Sequence, residues 1–284
     1  MDKTVLITGC SSGFGKLLVS EFLEKGWTVH ATLRDSAKRA DLFSEAESRN
    51  KGRFFLHELD VADARHRSET AKSLPRLDVL VNNAGYGLFG ALEDLSEEQL
   101  RRQMEVNFFG AVLLTRELLP LLRASRGRII NVSSILGLTG FPLASAYCSS
   151  KYALEGFSEA LYHELKPHGV QVAVVEPGGF RTDFSKKMAL AAGASSAQSP
   201  YRVQTGNLRR WQERRAAGRG VPPERVVRSI VRLAGTHSMP LRTVVGADAT
   251  AANLLHRLLP LNWAPSLMSK IFTKQLTKPL EDAA

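Results

Sequence analysis

Short β-branched apolar runs alternate along this chain with longer stretches whose apolar residues recur at helical spacing. Thr4-Val5-Leu6-Ile7 reads as a buried strand. Gly13 to Lys25 follows, with Leu17, Leu18, Phe22 and Leu23 on one helical face, and Gly26 is a stop. Thr28 to Leu33 is a second strand, and Ala37 to Arg49 a polar-faced helix. Phe54 to Leu56 and Val79 to Val81 are further strands. Two helical stretches then run from Ser96 to Asn107 and from Val112 to Arg123. Arg128 to Val132 is a strand, Ser145 to Lys166 a long helix, and Val172 to Val175 a sixth strand. Strands that are apolar throughout, separated by helices, predict an α/β fold: a doubly wound, mostly parallel sheet with helices on both faces.

After the sixth strand the pattern loosens. The stretch from about Phe184 to Gly220 reads as irregular, and Pro222 to Leu233 and Arg242 to Val245 read as a helix and a short strand. Long loops inside compact folds are commonly lids. We read one domain over residues 1–248, with a substrate-loop insertion at about 184–220, and a tail over 249–284.

Composition changes this picture in two places. The 284 residues are 44% hydrophobic and 23% charged, which excludes a largely disordered chain. Two cysteines, Cys10 and Cys148, exclude a disulfide framework and point to a reducing, cytoplasmic compartment. The first apolar run is too short for a signal-peptide core, and no uncharged stretch would cross a bilayer. The net charge is +10, and the residues from Tyr201 onward carry fourteen bases against five acids. Such a surface meets an anionic cofactor, a membrane face or nucleic acid, or is a solvated face. We expect no nucleic-acid partner. Arg209-Arg210-Trp211 within this region reads as an exposed helix face, and the apolar segment Leu254 to Trp263 as packing on the domain, a partner subunit or a membrane surface.

The chemistry sits where strands end. Thr8-Gly9-Cys10-Ser11-Ser12-Gly13-Phe14-Gly15 joins the first strand to the first helix. Glycines there let the backbone approach a pyrophosphate, and the helix N-terminus offers unpaired N–H groups. The spacing differs from Gly-x-Gly-x-x-Gly. At the end of the second strand an acid would accept a ribose hydroxyl, whereas an arginine accommodates a 2′-phosphate. Leu33 and Arg34 stand there, so we expect NADP(H), with NAD(H) the alternative. Asp35 is a nearby counter-charge. Asn82-Asn83-Ala84-Gly85, Asn107, Ser133-Ser134 and Tyr147-x-x-x-Lys151 follow in order, the last pair one helical turn apart.

This ordered set resembles the short-chain dehydrogenase/reductase family over roughly Thr4 to Thr182. It comprises Thr8-Gly9-x-x-x-Gly13-x-Gly15, Asp60-Val61, Asn82-Asn83-Ala84-Gly85, Asn107, Ser134, Tyr147-x-x-x-Lys151 and Pro177-Gly178. Asn107-Phe108-Phe109-Gly110 is similar to the hydroxysteroid and retinol dehydrogenase branch. The resemblance implies a Rossmann-like single-domain fold, a homodimer or homotetramer, and hydride transfer between nicotinamide and an alcohol or carbonyl without a metal. It implies that Gly9, Ser11, Ser12, Gly13, Phe14, Gly15, Arg34, Asn83, Ala84 and Gly85 line the cofactor. It places adenine by Asp60 and Val61, and the nicotinamide by Pro177, Gly178 and Thr182. Tyr147 is then the general acid/base, Ser134 holds the substrate oxygen, and Asn107 positions a water beside Lys151. Lys151 also contacts the nicotinamide ribose.

The assignment has a physical basis. Reduction of a carbonyl builds charge on its oxygen, which a proton donor must neutralise. A free tyrosine, with a pKa near ~10, is poorly matched to neutral pH, and an adjacent ammonium favours its phenolate. Neither cysteine has the basic neighbour that a nucleophilic thiol needs, so both are read as structural. The apolar content from Phe184 to Ala197 predicts an apolar substrate, steroid-, retinoid- or lipid-like.

Overall fold

The computed structural model describes residues 3–36, 41–182, 184, 188–217, 221–259 and 263–277. Seven strands form one parallel sheet in the order β3-β2-β1-β4-β6-β7-β9. They are β1 (Thr4–Ile7), β2 (Thr28–Leu33), β3 (Phe54–Glu58), β4 (Val79–Asn82), β6 (Arg128–Val132), β7 (Gln171–Pro177) and β9 (Arg242–Val245). A pair of two-residue strands, β5 (Leu88–Phe89) and β8 (Ala189–Leu190), stands apart. The winding reverses between β1 and β4, the crevice where doubly wound sheets bind ligands at their carboxyl ends.

The central strands are largely apolar because each face of the sheet carries its own core. Val5, Ile7, Val29, Val81 and Ile130 face α1 (Gly13–Glu24) and α8 (Glu224–Gly235), which contribute Leu18, Phe22, Val226 and Ile230. Leu6, Leu80, Ile129 and Val172 face α5 (Gly110–Ser125) and α6 (Ser145–Leu165), through Leu114, Leu118, Leu122 and Leu161. Alternate residues of one strand therefore feed opposite cores.

Several elements differ from the sequence reading. The second helix is the short α2 (Ser44–Arg49), and residues 37–40 of the expected span lie outside the described residues. Helix α3 (Ala64–Ser73) was not anticipated; it buries only Arg67 and Thr70, and Asp63 caps it. The two expected helices after β4 form a nearly continuous rod, α4 (Glu97–Met104) and α5, joined by a π-helical turn over Glu105–Phe109. The stretch expected to be irregular holds α7 (Arg202–Ala217). The tail supplies α9 (Ala247–Leu258) and α10 (Trp263–Leu276). Helix α10 lies on α7, where Asn207 Nδ2 donates to Leu276 O at 2.9 Å. Among the described residues, no helix is long and apolar enough to cross a membrane.

Candidate active site

The glycine turn is shaped by contacts that tolerate no side chain. Gly9 and Gly13 hold φ of 72° and 57°, in the left-handed region. A Cβ on Gly9 would stand 2.8 Å from Ala84 Cα, and one on Gly15 would stand 2.6 Å from Asn83 Nδ2. The turn can therefore lie directly on the loop after β4. Thr8 Oγ1 accepts the N–H groups of Asn83 and Ala84, both at 2.9 Å. Asn83 Nδ2 donates to Thr8 O at 2.9 Å and to Gly9 O at 3.2 Å.

Above this junction the structure leaves room. A Cβ on Gly13 would meet only Thr182, at 3.7 Å. Helix α1 begins with no side-chain cap from Ser12 and no acid in its first turn. Ser11 and Ser12 are half-buried beside it. Phe14 meets Phe180 edge to face at 6.0 Å, tying the turn to the loop after β7. An uncapped, acid-free helix N-terminus facing a gap closed by Thr182 fits a pyrophosphate. Pro177 ends β7, and Gly178 stays small because a Cβ would strike the Asp248 carboxylate, which accepts the Gly179 N–H at 2.8 Å.

The residues assigned to the adenosine end sit apart from this cluster. Arg34 is exposed just past β2, within electrostatic reach of Tyr86. Asp60 shapes its own loop by accepting the Ala62 N–H at 3.0 Å, and pairs with Arg102 at 2.9 Å. Val61 is buried, and a Cβ on Gly110 would lie 2.6 Å from its Cγ2.

The four residues assigned to proton chemistry converge. Ser134 lies just past β6 and caps a short turn over Ile135–Gly137, and Tyr147 and Lys151 lie on the first turns of α6, with all three no more than 7% exposed. The Ser134 side chain lies close enough to the Tyr147 hydroxyl to favour its phenolate. Lys151 Nζ donates to Val132 O at 2.9 Å and stands 5.9 Å from the Tyr147 ring centre. A Cβ on Gly85 would lie 3.1 Å from Asn107 Oδ1 and 3.8 Å from Lys151 Nζ, so these three share one wall.

Asn107 lies in the π turn, 1% exposed. Its Oδ1 accepts the Tyr86 N–H at 3.0 Å, and its Nδ2 donates to Tyr86 O at 2.9 Å and Ser150 Oγ at 3.2 Å. The extra residue of a π turn locally resets the helical register, and here the amide clamps the loop after β4 onto α6.

Electrostatics modify one expectation. Burial holds the Tyr147 hydroxyl well above the ordinary tyrosine range, with the nearby Ser134 side chain opposing, so the phenol rests protonated. Burial also lowers Lys151, to about 8, against the support of Glu155. The lysine still carries its charge at neutral pH. Desolvation outweighs the pull of an ammonium 5.9 Å from the ring centre.

The apolar stretch from Phe184 supplies part of the wall of this site, as the sequence reading expects, whereas Phe89, Phe141, Leu143 and Trp211 were not foreseen there. Phe89 stacks on Tyr147 at 5.7 Å, and Phe184 approaches it at 5.9 Å. Met188, Leu190, Leu143, Phe141 and Trp211 belong to the same apolar cluster. Trp211, expected on an exposed face, stacks on Phe141 at 6.0 Å. Cys10 and Cys148 are free and buried, and burial raises the Cys10 thiol to about 12.

The model for the short chain dehydrogenase family matches residues 3–192. The chain is 35% identical over 249 residues to 3-ketodihydrosphingosine reductase of Bacteroides thetaiotaomicron, covering 85% of this chain and 87% of that one. It is 32% identical over 286 residues to the mitochondrial D-beta-hydroxybutyrate dehydrogenase of Mus musculus, covering 95% and 80%. The crystal structure of a short-chain dehydrogenase from Streptomyces avermitilis superposes with a TM-score of 0.78 at 32% identity, covering 96% of this chain and 98% of that one. Other solved neighbours hold NADP. With the crevice, the glycine turn and the polar cluster in place, the chain belongs to the short-chain dehydrogenase/reductase family and is an NAD(P)-dependent oxidoreductase.

Proposed function

We propose that this protein uses NADP(H) to interconvert an apolar ketone or aldehyde and its alcohol, with Tyr147 as general acid/base. The observation that carries this reading is the convergence of buried Ser134, Tyr147 and Lys151 behind a wall of Phe89 and Phe184.

The residues present fit the cofactor. The first turn of α1, with Gly9, Ser11, Ser12, Gly13, Phe14 and Gly15, would hold its pyrophosphate, and Arg34 a 2′-phosphate. Asp60 and Val61 would adjoin the adenine. Asn83, Ala84, Gly85, Pro177, Gly178 and Thr182 would line the nicotinamide half, where Lys151 would also hold the ribose. When bound, the nicotinamide supplies or accepts the hydride.

The protein's own task is the proton. A carbonyl oxygen between Tyr147 and Ser134 would accept two hydrogen bonds, and the phenol delivers its proton as charge develops there. The Lys151 ammonium stabilises the phenolate left behind. Asn107 keeps the loop after β4 and helix α6 in register, so that a proton can return past Lys151.

An aromatic wall favours apolar substrates, since fully burying a medium-sized apolar group gives about 1.5–3 kcal/mol. One relative is a 3-ketodihydrosphingosine reductase. The test is a carbonyl panel with NADPH and NADH in parallel. We expect turnover of steroid, retinoid or keto-lipid carbonyls, faster with NADPH, and little with acetoacetate, whose carboxylate has no matching cation among the wall residues named above. Preference for acetoacetate would overturn the substrate class, and preference for NADH would overturn the role of Arg34.

A further inference from the structure

Helix α6 carries a second pattern beyond the tyrosine and lysine. Tyr147, Lys151, Glu155 and Glu159 recur every four residues, so they run down one face. Glu155 is 4% exposed, and Glu176 on β7 is fully buried. Arg242 on β9 reaches three carboxyl groups. Its Nε stands 3.2 Å from Glu155 Oε2 and 3.3 Å from Glu176 Oε1, and its Nη2 3.0 Å from Glu159 Oε2. Ser133 at the end of β6 faces Glu155, and Arg257 on α9 adds a more distant positive charge. A Cβ on Gly137 would lie 2.8 Å from Ser133 Oγ, 3.1 Å from Glu155 Cγ and 3.2 Å from Lys151 Cβ. The turn that carries Ser134 is thus packed directly on this cluster.

The hydrogen-bond inventory is out of balance if every acid is ionised. Glu155 Oε1 and both Glu176 oxygens are buried without a hydrogen-bond partner. Two carboxylates offer only acceptors, whereas a carboxylic acid beside a carboxylate offers a donor. Two adjoining like charges in a site with one close arginine also resist full ionisation.

We propose that Glu155 and Glu176 are positioning residues that share one proton behind Lys151, their remaining negative charge holding the lysine in its ammonium form. This rests on the reading of Tyr147 and Lys151 given above. The surrounding groups support it. Burial and the neighbouring Glu155 raise Glu176 to about 7, and burial also raises Glu155. Glu155 opposes the loss of charge on Lys151. As the shared proton leaves near neutrality, the second negative charge strengthens the hold on the ammonium.

The test compares wild type, Glu155→Gln, Glu176→Gln and Tyr147→Phe, using NADPH oxidation with the best carbonyl of the panel from about pH 6 to about pH 10. Glu155→Gln should move the alkaline loss of kcat to lower pH by about one unit, with little change in KM. Glu176→Gln should move it in the same direction by less. Infrared spectra in heavy water should contain the carbonyl stretch of a buried carboxylic acid that fades through about pH 7 in wild type, because that is where the pair loses its proton. The band should be missing in Glu176→Gln. An unmoved alkaline limb in Glu155→Gln, or no such band in wild type, overturns the proposal. The wild-type spectrum decides the matter if a variant fails to fold. Full activity in Tyr147→Phe would instead defeat the proton-donor reading, and the infrared band would be unaffected.

Discussion

Gly9 is the residue on which the cofactor crevice closes. Its φ is 72°, and any Cβ would press on Ala84 Cα at 2.8 Å. A left-handed conformation costs a residue with a Cβ about 1–2 kcal/mol. Gly9→Ala should therefore lower stability by roughly 2 kcal/mol and weaken NADPH binding, because the loop carrying Asn83 must back away. Urea unfolding and a fluorescence titration with NADPH check both effects, and wild-type values in both would contradict them. The glycine itself was legible from its place after the first strand, as were Tyr147 and Lys151 from their four-residue spacing. Glu176 and Asp248 were not. Each acts through partners remote in sequence, such as Glu176 with Arg242 on a neighbouring strand and Asp248 with the Gly179 N–H. Nothing local marks either one.

At the scale of elements, legibility followed the number of apolar residues each element buries. The central strands are buried on both faces and read as unbroken apolar runs, whereas the edge strands β3 and β9 bury only Phe54 and Val245 and were placed from short apolar or β-branched runs. Helix α3 buries an arginine and a threonine, with Arg67 Nη1 donating to Val61 O at 2.8 Å, so its contacts are polar and leave no apolar stripe. Helix α7 is rich in arginine and buries Thr205, Leu208 and Gln212, again too little for periodicity to register. Its anchoring comes from far along the chain, through Phe141 against Trp211 and Phe272 and through Leu276 on α10. The π turn presents a related case. Asn107 was found as a motif residue, whereas the shifted register that lets its amide span Tyr86 and Ser150 depends on contacts across the fold.

For the whole molecule, two buried groups pull stability in opposite directions as pH changes. His30 lies 2.8 Å from His57 (Nδ1 to Nε2), and burial, with the neighbouring His57, lowers it from 6.5 to about 4. Its lowered value means that stability falls as pH drops from about 6.5 towards about 4, because the unfolded chain binds the extra proton. Glu176 is raised from 4.5 to about 7, so its contribution is lost as pH rises through that interval. Over the shared window the two slopes cancel, and His57 and Glu155 add to opposite sides with the same signs. We therefore expect wild-type stability to be nearly flat between about pH 4.5 and about pH 6.5. Glu176→Gln should make it rise with pH there, and His30→Gln should make it fall. Urea unfolding at four pH values checks this, and parallel curves for all three proteins would contradict it.

The central claim is that a buried phenol beside an ammonium delivers the proton, and single-turnover oxidation of NADPH by Tyr147→Phe measures it most directly. The variant removes one oxygen and keeps the ring between Phe89 and Phe184. We predict NADPH affinity close to wild type and a hydride-transfer rate lower by about 10²–10⁴-fold. A rate within a few-fold of wild type, with the cofactor fully bound, would contradict the account.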